Sequence, residues 1–123
     1  MIQPRTLVKI ADNTGAKIGR IFKVLGGSKK RYARIGDIVI LSVQTAEPRK
    51  MVKKKDVLAA VVVRQVSPTR RKDGSYIKFD DNAVVIIDKE KHEPLGARVF
   101  GPIPREIVEK GFKSIASLAP EIV

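Results

Sequence analysis

The chain contains no cysteine, no tryptophan and a single histidine. Without thiols it can form no disulfide, no thiolate zinc cluster and no cysteine nucleophile. One histidine cannot build a histidine metal site from this chain alone, and His92, in the polar loop KEKHEPLG, has no base–orienter partner for triad chemistry. Aromatics are only 5% of the residues. No apolar run approaches the roughly 18–20 residues that cross a bilayer. The start, MIQPRTLVKIADNTG, turns polar too soon for the apolar core of a signal peptide. These absences predict a soluble intracellular protein. GxxxxGK[ST] is missing too; Gly26-Gly27-Ser28-Lys29 has the residue types of a phosphate loop without its spacing or its following helix. Asp80-Asp81, ahead of an apolar run, suits a turn better than a magnesium site. Nothing supports catalysis, a cofactor or a metal.

Positive charge is abundant. Lys and Arg total 25 against 13 Asp and Glu, a net charge of +12 and a pI near 10.2. Such an excess is self-repulsive unless an anion offsets it, and nucleic acid is the usual intracellular counterpart. An acidic membrane surface would call for a basic amphipathic helix, and none is present. The excess is uneven: net +8 over residues 1–50, +4 over 51–100 and zero over 101–123, so the C-terminal segment has a different job.

At 123 residues and 43% hydrophobic, the chain is sized for one domain with one modest core, a β-rich body over 1–100 and a short helical tail over 101–123. The apolar patterning predicts strands at Thr6–Ala11, Lys17–Leu25 (with a bulge near Gly19), Ile38–Val43, Val57–Val66, Tyr76–Phe79 and Ala83–Asp88, and a last short one at Arg98–Phe100. Pro104 and Gly111 bracket a short helix, and one more turn follows over Lys113–Leu118. Short strands at this spacing predict a small antiparallel β-barrel with a hairpin and loops as its working surface.

Three basic clusters fall on predicted loops: Lys29, Lys30, Arg31 and Arg34; Arg49, Lys50, Lys53, Lys54 and Lys55; Arg70, Arg71 and Lys72. Ordinary soluble surfaces intersperse both signs, so same-sign loops point to phosphate neutralisation. Arg64 and Lys78 flank the third cluster on the predicted hairpin stem. Phe22, Phe79, Phe100 and Phe112 read as core, leaving Tyr32 and Tyr76 as exposed rings. That favours docking on folded RNA over stacking along a single strand. A free-standing barrel that binds single-stranded nucleic acid is the alternative, and an enzyme a distant third.

One stretch carries a specific pattern. Ala60, Val61–Val63, a nine-residue spacer, Asp73-Gly74, Phe79, Asn82 and Val85-Ile86 resemble the signature of the bacterial-type large-subunit ribosomal protein L-fourteen family. The likeness extends along the chain: ADNTGA at 11–16, KVLGGS at 23–28, FDDNA at 79–83, RVFGP at 98–102 and SLAPE at 117–121. The resemblance implies a five-stranded antiparallel barrel with a projecting β-hairpin and a C-terminal helical region. It implies binding to large-subunit rRNA through the basic residues named above, in the cytoplasm or an organelle. It further implies an intersubunit bridge to small-subunit rRNA, neighbours of the L-nineteen and L-three families, and a docking face for a ribosome-silencing factor that includes Arg98 and Lys113. Four positions depart from the pattern. Lys50 and Lys55 stand where glycines are common, Ala97 stands where Thr is usual before Arg98, and the Lys ahead of SLAP is displaced to Lys113.

Overall fold

A computed structural model describes residues 2–26, 32–48, 52–88 and 90–123. Five strands close a barrel in the order β1 (Leu7–Ile10), β2 (Ala16–Val24), β3 (Ile38–Ala46), β4 (Val57–Arg64) and β7 (Ala83–Ile87). Between the last two lies a small hairpin, β5 (Thr69–Arg70) and β6 (Tyr76–Ile77). Two short helices follow, α1 (Glu106–Glu109) and α2 (Lys113–Leu118).

The barrel is mixed, where the sequence predicts an antiparallel one. Four seams are antiparallel, and β1 pairs β7 in parallel through Lys9↔Ala83 and Ile10↔Val84. The cause is parity: five strands alternating up and down leave the first and fifth pointing the same way, so the closing seam must be parallel. The segment 98–100 forms a single bridge, Asp12↔Val99, instead of a strand.

β4 and β7 are near-continuous aliphatic runs, which marks strands buried on both faces. Alternate residues go to two cores. Ala60, Val62, Val84 and Ile86 face the barrel interior with Ile21, Val39, Leu41 and Val43. Ala59, Val61, Val63, Val85 and Ile87 face outward, where Val99, Ile103, Ile107, Phe112 and Ile115 cover them. The electrically neutral tail therefore closes the barrel's outer apolar face.

β2 bulges around Gly19, as its sequence predicts, and a second register shift lies between Ile21 and Lys23. A Cβ at Gly19 would stand 2.9 Å from Leu41 Cδ1. The second shift breaks the alternation: Ile21 and Val24 point inward, and Phe22 is 51% exposed. Phe100 is equally exposed. The predicted burial of both rings is thus corrected, while Phe112 is buried and Phe79 packs at the edge of the outer core.

One kind of turn leads into β1, β3 and β4. In Gln3–Thr6, Arg34–Asp37 and Lys53–Asp56 the fourth residue's N–H donates to the first residue's carbonyl. Its side-chain oxygen in return accepts from the first residue's N–H, at 3.2, 2.8 and 3.0 Å. The third residue has positive φ each time: Arg5 at 77°, Gly36 at 87° and Lys55 at 74°. Glycine adopts this conformation freely, whereas a side chain there costs roughly 1–2 kcal/mol. Lys55 thus keeps the geometry of a glycine turn and places a cation there under strain.

Candidate nucleic-acid interface

The alternation of strand direction sorts the basic loops between the two ends of the barrel. The β2–β3 connection, with Arg34, and the β4–β7 connection, with Arg70, Arg71 and Lys72, lie at one end. The β3–β4 loop, with Lys53, Lys54 and Lys55, lies at the other, beside the β1–β2 turn. Lys29, Lys30, Arg31, Arg49 and Lys50 fall outside the described residues. The described members of the three clusters therefore fall at two separate ends of the barrel.

Exposure divides the candidates further. Arg34, Lys53, Lys54, Lys55, Arg70, Lys72, Lys78, Arg98 and Lys113 are exposed. Arg64 is not, and its predicted place facing phosphate is corrected. Its side chain is 7% exposed. Nε donates to Asp81 Oδ1 at 2.9 Å and one terminal nitrogen to Asp81 Oδ2 at 3.3 Å. The other terminal nitrogen, Nη1, donates to the carbonyls of Phe100 and Pro102 at 2.8 and 3.2 Å. This fork ties the end of β4 to the turn before β7 and to the entry of the tail. Gly101 (φ +83°) lies against the guanidinium, and a Cβ there would collide with Nη1.

Arg71 also turns inward. Its Nε lies 2.8 Å from Glu106 Oε1, an ion-pair distance at an angle too poor for a hydrogen bond. Its Nη2 donates to the main-chain carbonyl of Val123 at 2.7 Å and, weakly, to Glu106 Oε2 at 3.4 Å. The hairpin tip is thereby fastened to α1. Arg34, Arg70, Lys72 and Arg105 open with this pair onto one cleft of about 480 Å³. Arg105 was not singled out by sequence reasoning, because its position in GPIPREIVEK signals only a helix start.

Arg98 is set by the turn opposite. Asn13 Oδ1 accepts from the N–H groups of Ala97 and Arg98 at 2.9 and 3.1 Å, and Asn13 N–H donates to Arg98 O at 3.2 Å. Val99 N–H donates to Leu118 O, joining this segment to the end of α2. Lys113 begins that helix, about 7.5 Å away along its axis. Beside Asn13 the preceding residue is buried. Asp12 Oδ1 accepts from the Thr14 hydroxyl and N–H, and Oδ2 accepts from Ile86 N–H. Burial pushes its carboxyl above the usual carboxylate range, and these hydrogen bonds oppose the shift only in part.

More rings meet solvent than the sequence predicts: Phe22, Tyr32, Tyr76 and Phe100 are all more than two-fifths exposed. Phe100 borders an apolar groove of about 740 Å³ with Leu7 and Ile18. His92 is an exposed turn residue whose ring stands 6.3 Å from that of Phe112. Asp81 is occupied by Arg64, with Lys9 at 4.0 Å. Among the described residues no helix is long and apolar enough to cross a membrane. The whole of residues 1–123 matches the family model of ribosomal protein L14p/L23e, and the chain therefore belongs to that family of non-enzymatic structural ribosome components that serve translation.

Proposed function

We propose that the protein binds large-subunit rRNA with the two basic ends of its barrel and meets the small subunit with the face that carries Arg98 and Lys113. The single observation that carries this reading is the division of exposed cations between opposite ends of a rigid barrel. A wedge charged at both ends is suited to joining separate phosphate-rich surfaces. Arg34, Arg70 and Lys72 serve one end, with Lys78 beyond β6. Lys53, Lys54 and Lys55 serve the other. Lys29, Lys30, Arg31, Arg49 and Lys50 add to the same clusters in sequence.

Strain supports a binding role at the second end. Lys55 holds positive φ in a turn whose counterpart before β3 uses Gly36. Strained residues cluster at functional sites. Exposed Tyr76, the cross-strand partner of Arg70, offers a face for base or sugar contact beside the tip.

The bridge to small-subunit rRNA, the neighbours of the L-nineteen and L-three families and the docking of a ribosome-silencing factor belong to the same reading. Asn13 supports it by fixing the backbone of the exposed Arg98. Arg98→Glu tests it. Large subunits carrying the variant should assemble with normal protein content and join small subunits poorly in light-scattering assays. Loss of assembled large subunits with normal joining of the survivors would refute the assignment of Arg98.

A further inference from the structure

We infer that the hairpin tip and the start of α1 form one phosphate-binding cleft, in which Arg105 is a ligand and Arg71 is the latch that holds the cleft together. The inference rests on the rRNA-binding reading above and gives it a location; the occupant is the phosphodiester backbone of RNA.

Two ion pairs build the walls. Arg71 on the hairpin meets Glu106 of α1, and Lys110, just past α1, stands 3.7 Å from Asp37 before β3. α1 is thus tied on one side to the hairpin and on the other to the β2–β3 connection. These pairs consume two of the cleft's cations. Arg34, Arg70, Lys72 and Arg105 remain, and among the described residues none of the four has an ion-pair partner. They come from three segments distant in sequence, and α1 brings them together.

The acids at the cleft do not cancel them. Glu106 is spent on Arg71. Asp73 accepts from the Ser75 hydroxyl and N–H at 2.6 and 3.0 Å, which closes the tip turn. These bonds hold its carboxyl below the usual range, and Arg105 and Arg71 depress it further from a distance. Asp73 stays ionised and Glu109 has no ion-pair partner among the described residues, so the four free cations outnumber two acids and the cleft keeps a net positive charge. Three of its four free cations are arginines, whose planar fork suits paired phosphate oxygens.

Arg71 cannot play the same part. Its side chain is 13% exposed, and its charge is already met by Glu106. A cation neutralised within the protein releases no counterion when RNA arrives, so it adds nothing to the salt dependence of binding.

The test compares full-length wild type, Arg105→Ala, Arg70→Ala and Arg71→Ala on transcribed large-subunit rRNA across a salt series. Circular dichroism verifies that each variant is folded. Arg105→Ala and Arg70→Ala should each flatten the slope of log Kobs against log[salt] by about 0.7–0.9. Arg71→Ala should lower affinity at every salt concentration with the slope unchanged, and should speed amide exchange at 69–77. An Arg105→Ala slope equal to wild type overturns the cleft. An Arg71→Ala slope as flat as that of Arg70→Ala overturns the latch. Failure of the wild type itself to bind removes the reading on which both depend.

Discussion

Replacing Arg64 by Met separates the interior of this protein from its binding surface. Methionine keeps the length and apolar stem of the side chain and removes the guanidinium. Lost are the fork on Asp81 and the donors to Phe100 O and Pro102 O. Breaking one partner of a buried pair costs roughly 3–5 kcal/mol. The Asp81 side chain is 34% exposed, so water compensates part of its loss, and the expected cost falls to about 2–4 kcal/mol. Each stranded carbonyl contributes within that total, since members of one network do not add. Urea unfolding should show the midpoint falling with an unchanged m-value. Arg64→Lys should not rescue, because an ammonium cannot span a carboxylate and two carbonyls in one plane. The slope of rRNA binding against salt should equal that of wild type. A stability change under about 0.5 kcal/mol, below the usual range for buried networks, together with a flattened salt slope would refute the structural role and return Arg64 to the binding surface.

Other outcomes follow from particular sites. Because Asp12 has a raised pKa in the fold, the folded state holds its proton more tightly than the unfolded state. The stability of wild type relative to Asp12→Asn should therefore fall as pH rises from about 3.8 through the raised value, and level off above it; a difference that grows with pH contradicts the burial argument. Lys55→Gly should raise stability by about 0.5–1 kcal/mol, the relief of positive-φ strain less the added entropy of the unfolded chain, while weakening rRNA binding. A loss of stability in urea would show that Lys55 is unstrained. The isolated protein should give a β-rich circular dichroism spectrum with a cooperative melt, since its two cores are internal; a random-coil spectrum contradicts this.

Legibility in the sequence followed the range of the interactions. The runs Ala60–Val63 and Ala83–Ile86 announce strands because burial on both faces leaves no polar position. The bulge at Gly19 and the helix end at Gly111 are local and equally readable. Arg64 reads as part of the basic tip because its acceptors lie 17, 36 and 38 residues away in sequence. Phe22 reads as core under strict alternation, which the register shift between Ile21 and Lys23 breaks. The cleft was invisible for a similar reason: Arg34, Arg70 and Arg105 meet only after the tail folds back over β4 and β7. The resemblance marks Lys55 as standing at a glycine position, but that its turn keeps the glycine geometry shows only beside Gly36.

We propose that this chain is an integrated part of the large ribosomal subunit, held by charge and shape. The most direct measurement is a sucrose-gradient profile of lysate carrying a tagged copy, repeated after a high-salt wash. The tag is expected in large subunits and whole ribosomes before and after the wash. A tag that stays at the top of the gradient, or leaves the ribosome in salt, would contradict it.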